Sequence, residues 1–236
     1  MFQTNPFALI VLFVGLSLLP FVAMVATSYL KIVVVMSLIR NALGTQSIPP
    51  NMVVNALAMI LTFFIMAPVA QESWGLVVER QKAKVESPAP GGGRGPESGT
   101  ATLDLGLPTI DYAEAAEPFR AWLSAHTADR ERAFFVNTAE RLWAKEEGEP
   151  AKVDPDSFAI LLPAFCVSEL TKAFQIGFLV YLPFIAIDII VSNILLAMGM
   201  MMVSPVTISL PFKLLLFVMV DGWTLLIQGL VRGYAL

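Results

Sequence analysis

The sequence predicts an all-α fold of kinked hydrophobic helical hairpins of the membrane-protein type, with a small helical insertion. Hydrophobic residues make up 56% of the 236 residues and charged residues only 14%, which is far from the composition of soluble domains. The charges are also segregated, because 26 of the 34 charged side chains lie between Gln71 and Ser157. We therefore expect an N-terminal hydrophobic hairpin over 1–72, a polar insertion over 73–156 and C-terminal hydrophobic helices over 157–236.

The first apolar run extends from Pro6 to Leu30 and is long enough to cross a bilayer, for which about 20 apolar residues suffice. It lacks a basic start and a small-residue cleavage site, so we interpret it as retained rather than as a secretory signal. The predicted loop over 31–50 carries Lys31 and Arg40 and no acid. Under the positive-inside rule this loop is expected on the cytoplasmic side and the insertion on the periplasmic side.

A helix end and a helix restart are predicted between the first two apolar runs. Glycine at position 44 can end a helix in the left-handed conformation. The two prolines that follow prevent simple helical continuation, so a restart is predicted near Asn51. The second apolar run then covers 52–70. The candidate loop motif of this connection comprises Arg40, Asn41, Gly44, Pro49, Pro50 and Asn51.

The insertion divides into a linker and a helical part. Residues 87–99 are rich in glycine and proline and predict a flexible linker. Farther along, apolar residues recur at three- and four-residue spacing, which predicts two amphipathic helices with a turn near His126–Asp129. Two such helices are too small for a core of their own, so we expect them to pack on another element, with His126 at the surface. Asp154-Pro155 then predicts the N-cap and first turn of the next helix.

The C-terminal apolar region carries charges that a lipid-facing helix tolerates poorly. On insertion scales each charge at a bilayer centre costs roughly 2.5–3.5 kcal/mol, while each Leu or Ile returns only about 0.3–0.6 kcal/mol. These side chains must therefore face protein or water. Glu169 and Lys172 are spaced to pair on one helix face. We expect Lys213 to pair with Asp221, within or between subunits, and Asp188 to pair with Lys213, Lys172 or a neighbouring subunit.

A methionine cluster interrupts the longest uncharged run of the C-terminal half. On an unbroken helix, Met200, Met201 and Met202 would point about 100° apart and could not share a face. Gly199 and Ser204-Pro205 make a break plausible, which would let several of them face one way. Methionine is flexible and polarizable, so it suits a surface that must repack, although such a cluster in an apolar segment is more often membrane filler.

Several function classes find no support in the sequence. One histidine and one cysteine in different segments form no catalytic set, and no phosphate loop or metal-ligand cluster is present. The net charge of −4 comes from the insertion and does not indicate nucleic-acid binding. We therefore expect no enzymatic activity, no cofactor and no metal. A small-solute or proton-coupled transporter remains an alternative, because Asp188 and Asp221 lie in apolar surroundings.

Two blocks of the sequence resemble a known family. The first block contains Ser28–Val35, Arg40–Asn51 and Met66–Val69, and the second contains Leu161–Ala164, Ser168–Phe178, Tyr181–Phe184, Met198–Lys213 and Val220–Leu226. Over about 7–72 and 157–233 the chain is similar to the bacterial type III secretion export-apparatus family of SctR and its flagellar counterpart FliP. The stretch Ser204–Ser209 favours the injectisome branch. No resemblance is identified in the insertion.

The resemblance implies a non-enzymatic role at the bacterial inner membrane. Family members assemble as a ring of five copies, with smaller hydrophobic subunits of the SctS and SctT type, into a helical pore that exports unfolded proteins. Needle and inner-rod proteins and membrane lipid are further implied partners. The chain is multi-pass by prediction, yet the assembled complex is displaced toward the periplasm. The family's methionine gasket, which closes the conduit, corresponds here to Met200, Met201 and Met202.

Overall fold

The computed structural model describes residues 6–45, 49–86, 115–144 and 152–234, and every regular element in these ranges is a helix. The predicted all-α fold is therefore confirmed. The predicted linker over 87–99 lies outside the described residues. In chain order the helices are α1 (Pro6–Val25), α2 (Tyr29–Ala42), α3 (Asn51–Glu86), α4 (Glu117–His126), α5 (Asp129–Leu142), α6 (Phe158–Ala197), α7 (Pro205–Met219) and α8 (Gly222–Arg232).

Helix α6 is the central element, because α2, α4, α5 and α7 all pack against it. It runs for 40 residues even though Pro163 and Pro183 lie inside it. Each proline removes one backbone hydrogen bond, and packing by neighbouring helices makes that loss tolerable. The turn predicted between the two insertion helices is confirmed, since α4 ends at His126 and α5 begins at Asp129.

The buried side chains form two clusters beside α6. The larger cluster joins α2, α3, α6, α7 and α8, and it includes Ile32 and Met36. The smaller cluster joins α4 and α6 to the C-terminal turn through Trp122, Phe165 and Tyr234. Burying such a side chain contributes roughly 1.5–3 kcal/mol, so these contacts hold the helices together. The insertion helices therefore pack on another element, as predicted.

The connection between α2 and α3 follows the predicted pattern. Gly44 adopts a φ of +79° just after α2, a conformation that favours glycine. Helix α3 begins at Asn51, directly after the two prolines. It then continues past Pro68 to Glu86, so one helix crosses the boundary that the charge pattern predicts at residue 72.

The start of α6 differs from the prediction. Asp154 accepts a hydrogen bond from the Asp156 N–H at 3.0 Å, which holds this segment in a turn. The helix begins at Phe158, after Ser157 in an extended conformation (φ −65°, ψ 143°). The predicted helix start at Asp154-Pro155 is therefore wrong, because the aspartate side chain bonds its local backbone in place of capping a helix.

Several helices have the length and composition of membrane spans. Among the described residues, Asn51–Glu79 and α6 are each long and apolar enough to cross a membrane. Two bent pairs raise the number to four if each pair is one span: α1 with α2, bent by 58°, and α7 with α8, bent by 59°. The single run predicted over 6–30 is therefore divided, since α1 ends at Val25. These features identify a membrane protein.

Lys31 does not lie in a loop. It lies in the first turns of α2 with 3% of its surface exposed, so the predicted loop over 31–50 is shortened to the residues after Ala42. The positive-inside rule counts cations in the loops that flank a span. Among the described residues, Arg40 in the last turn of α2 is the cation next to this connection, and the cytoplasmic side of the connection stays a prediction.

The methionine loop and two buried charge networks

Helix α6 ends in a Schellman motif at the methionine cluster. Gly199 has a φ of +71°, and its N–H donates to the Leu196 carbonyl at 3.0 Å. The next N–H, from Met200, donates to the Leu195 carbonyl at 2.9 Å. This pair of bonds satisfies the last carbonyls of the helix. Helix α7 restarts at Pro205, where proline fits the first helical position.

The residues between these helices, 198–204, form what we term the methionine loop. The break predicted at Gly199 and Ser204-Pro205 is present, so the methionines leave the helical geometry that would separate them. Their exposed fractions rise along the loop, from 40% at Met200 to 81% at Met201, and Met202 is fully exposed. Three flexible thioether side chains therefore project from a defined loop.

A charge network holds together the two helices that flank the methionine loop. The buried ammonium of Lys213 in α7 lies 2.6 Å from the Asp188 carboxylate in α6. The same ammonium donates to the Ala42 carbonyl at the end of α2, at 3.2 Å. The hydroxyl of Ser209 donates to the second carboxylate oxygen of Asp188 at 2.6 Å. Asp188 therefore cross-links α6 and α7 below the loop.

The expected pair between Lys213 and Asp221 is not formed within the chain. Asp221 lies at the bend between α7 and α8, where its φ is +51°. Its exposed carboxylate accepts a hydrogen bond from the Thr224 hydroxyl at 3.0 Å. Lys213 points instead toward α6, because that is the helix against which α7 packs. Within the chain Lys213 therefore pairs with Asp188, which is one of the partners expected for that aspartate.

A second network surrounds Glu169 in the N-terminal third of α6, and this carboxylate has no exposed surface. The ammonium of Lys172 lies 3.1 Å from one oxygen, as the helical spacing predicts, and that of Lys31 lies 3.1 Å from the other. The hydroxyl of Tyr234 donates to the second oxygen as well. Lys172 also donates to the His126 carbonyl at 2.7 Å. One buried carboxylate thus connects α2, α4, α6 and the C-terminal turn.

Tyr234 has several partners at this junction. Its ring stacks on Trp122, with centroids 6.0 Å apart, and the Lys31 ammonium lies 3.6 Å from its centroid. Burial first, and then the Glu169 carboxylate, raises the pKa of the Tyr234 hydroxyl well above its ordinary value. The phenol therefore keeps its proton and serves as a hydrogen-bond donor.

His126 is buried, so its predicted surface position is wrong. Its Nδ1 lies 2.8 Å from the Trp122 carbonyl, and its ring lies 5.3 Å from that of Tyr234. The amphipathic pattern of α4 places this residue at the helix end, but the C-terminal turn covers it. The sequence patterns do not assign Lys31 and Tyr234 to this network. The lone lysine early in an apolar run is the one signal for it, because such a charge requires a partner.

The candidate loop motif connects α2 to α3. The guanidinium of Arg40 donates to the Asn51 side-chain carbonyl, and to the Pro49 carbonyl at 3.4 Å. The Gly44 N–H donates to the Asn41 carbonyl at 3.0 Å. The Pro50 carbonyl accepts hydrogen bonds from the first turn of α3. The Arg40 contacts therefore tie the last turn of α2 to the residues at the start of α3.

The sequence profile of the FliP family matches residues 12–230. The chain belongs to the FliP family. The hypersensitivity response secretion protein HrcR of Ralstonia nicotianae is 48% identical over 227 residues, which cover 96% of each chain. The Yop proteins translocation protein R of Yersinia pestis is 49% identical over 226 residues, or 96% of this chain and 95% of the relative. The flagellar biosynthetic protein FliP of Bacillus subtilis is 37% identical over 227 residues, or 96% and 90%.

The resemblance to the SctR and FliP family is therefore confirmed. The FliP-family match also runs through the insertion, where the sequence motifs indicate no resemblance. The two relatives named for secretion and translocation are more similar to this chain than the flagellar FliP protein is. That order agrees with the branch favoured by the Ser204–Ser209 stretch.

Proposed function

We propose that this chain is a pore-forming core subunit of a type III secretion export gate of the injectisome type. Its role is to pass unfolded proteins across the bacterial inner membrane, and it is not an enzyme. FliP-family membership and relatives named for hypersensitivity response secretion and Yop protein translocation support this role. In this proposal several copies, five by family resemblance, assemble with SctS- and SctT-type subunits and meet the needle and inner-rod proteins. The assembled ring is displaced toward the periplasm, where the 73–156 insertion lies.

The methionine loop is the proposed gate. Its three exposed methionines lie on a loop whose flanking helices are cross-linked by Lys213 and Asp188. The proposal rests on this combination of cross-linked flanking helices and flexible, exposed side chains. Loops from several copies would meet around one conduit, where thioether side chains can part for a chain and close again.

The contacts of the acidic residues favour this gate over a proton-coupled transporter. Asp188 is paired with Lys213 and accepts from Ser209, and Glu169 is held by two lysines and a tyrosine. Asp221 is exposed at a helix bend. A carboxylate that is already bonded within the chain fits a structural role better than a proton relay through the membrane.

The test is to replace Met200, Met201 and Met202 together with alanine. Removing the thioethers from the closed loop is expected to leave assembly intact and to make the complex leak ions. Conductance of the purified complex in planar bilayers measures the leak, and native mass spectrometry measures assembly. The matched control replaces Met52, Met59 and Met219, which are also exposed but lie outside the loop.

An unchanged closed-state conductance in the loop variant would contradict the gate assignment. A similar leak in the control variant would also contradict it, because the effect would then follow from losing methionines in general. Loss of secretion with no assembled complex in the loop variant alone would replace the gate assignment with a structural role for the loop.

A further inference from the structure

An apolar groove lies between α6, α7 and α8. Its volume is about 470 Å³, within the roughly 300–1,000 Å³ that ligand pockets occupy. Every residue that lines it is apolar or glycine, with Val180 and Phe184 from α6, Leu216 from α7, and Leu226 from α8 among them. The groove belongs to α6 and to the bent α7–α8 pair, both of which have the composition of membrane spans. An apolar ligand is therefore the only kind that this lining favours.

Glycine keeps part of the groove open. Gly229 lines it from α8, and a Cβ atom at this position would meet nothing within 4 Å. The space next to Gly229 is thus available to a ligand and not filled by the chain's own side chains. A side chain at this position would therefore begin in open space, without a collision at its Cβ atom.

A positive charge lies at one end of the groove. Leu225, Gly229 and Arg232 are spaced four and three residues apart, so they lie on one face of α8. The first two line the groove, and Arg232 follows one turn later as an exposed residue at the helix end. Arginine at the end of an apolar helix is suited to reach the lipid headgroup region.

We propose that this groove binds one acyl chain of an anionic membrane phospholipid, whose phosphate contacts Arg232. The apolar lining matches the hydrocarbon tail, and each methylene that leaves water or replaces a void contributes to binding. The guanidinium matches the phosphate in charge and in hydrogen-bonding geometry. An apolar helix of a partner protein would match the groove alone, whereas an anionic lipid matches both the groove and the positive charge of Arg232.

The test uses the full-length protein in its complex, stripped of lipid by detergent exchange. Either palmitoyl-oleoyl phosphatidylglycerol or phosphatidylcholine with the same tails is then added, and native mass spectrometry counts the lipids retained per chain. Gly229→Phe is expected to lower phosphatidylglycerol retention about tenfold or more, the effect of excluding about two methylenes. Gly75→Phe is the matched control, because a Cβ at that helical glycine also meets nothing within 4 Å.

A second pair of variants tests the headgroup contact. Arg232→Gln is expected to lower the preference for phosphatidylglycerol over phosphatidylcholine about fivefold, the factor for one basic residue at an anionic surface. Arg141→Gln, at an exposed position in α5, is expected to change nothing.

Three results would overturn the lipid site. One is equal phosphatidylglycerol retention by Gly229→Phe and the unaltered protein. Another is a lipid preference that Arg232→Gln leaves unchanged. The third is a loss of protein subunits, without a loss of lipid, in Gly229→Phe, which would assign the groove to a protein partner. Because Arg232 is exposed, its variant remains informative even if Gly229→Phe fails to assemble.

Discussion

Glu169 connects segments that lie far apart in the sequence. Its carboxylate is fully buried and shared between Lys31, Lys172 and Tyr234. Lys31 is itself buried, so removing the negative charge would leave an ammonium without compensation in the interior. Breaking a buried ion pair on one side is strongly destabilising, because the remaining charge still bears its desolvation cost.

We expect Glu169→Gln to lower the free energy of unfolding by about 3–5 kcal/mol, the usual effect of removing one partner of a buried pair. Thermal unfolding in detergent, followed by circular dichroism, measures the loss. The control is Glu117→Gln, whose carboxylate pairs with Arg120 at 2.9 Å but is 57% exposed. That exposed pair is expected to contribute only about 0–1 kcal/mol. Equal losses in the two variants would refute a special role for the buried network.

Individual contacts can be predicted from the sequence where they are local. Glu169 and Lys172 are three residues apart on one helix, so their pairing follows from helical geometry. Tyr234 meets Glu169 across 65 residues, and only the packing of α6 against the C-terminal turn brings them together. The predicted surface position of His126 is wrong for the same reason, since its burial depends on that turn. Lys213 forms its ion pair with Asp188 and not with Asp221 because α7 packs against α6.

Helices α2 and α6 approach each other closely at Gly177. A Cβ atom there would overlap the Cδ1 atom of Leu38 and would lie only 3.2–3.3 Å from its Cβ and Cγ atoms, which move less readily than the end of the side chain. The absence of a side chain at Gly177 therefore lets the two helices pack together. Forcing one extra carbon into such a contact typically costs 1–3 kcal/mol.

We expect Gly177→Ala to destabilise the protein by up to about 2 kcal/mol, because overpacking outweighs the gain in helix propensity of roughly 1 kcal/mol. Gly75→Ala in α3 is the matched variant, since its new Cβ meets nothing. It is expected to stabilise the protein by about 0.5–1 kcal/mol through propensity alone. Thermal unfolding of both variants shows whether each substitution raises or lowers the stability of the protein. Stabilisation by Gly177→Ala would show that this helix contact is looser than described.

Helix ends are predictable where glycine or proline fixes the backbone. The end of α2 at Gly44, the restart at Asn51 and the break at Gly199 all follow from such residues. The prediction for the first turn of α6 is wrong because Asp154 accepts from the Asp156 N–H, and the helix begins at Phe158 after Ser157. An aspartate before a proline permits both outcomes, and local pattern alone does not choose between them.

The buried charges Lys31, Glu169 and Lys213 are paired within the chain, and much of the outward surface of the apolar helices is left apolar. Phe13, Phe63, Phe178 and Val218, on four different helices, are all largely exposed. A soluble monomer rarely exposes so much apolar surface, so lipid or protein must cover it. Sequence patterns do not show whether lipid or protein covers this surface, because a lipid tail and a neighbouring helix are similarly apolar.

We expect the protein to purify as a multi-copy particle and not as a single 25.7 kDa chain with bound detergent. The copies would cover part of the exposed apolar surface and bring their methionine loops together, as the gate requires. Native mass spectrometry across a series from mild to harsh detergents gives the copy number and any smaller subunits that remain bound. Harsh detergent serves as the control, since it should release single chains. A single chain in every detergent, from cells that also express the other secretion components, would contradict both the assembly and the proposed gate.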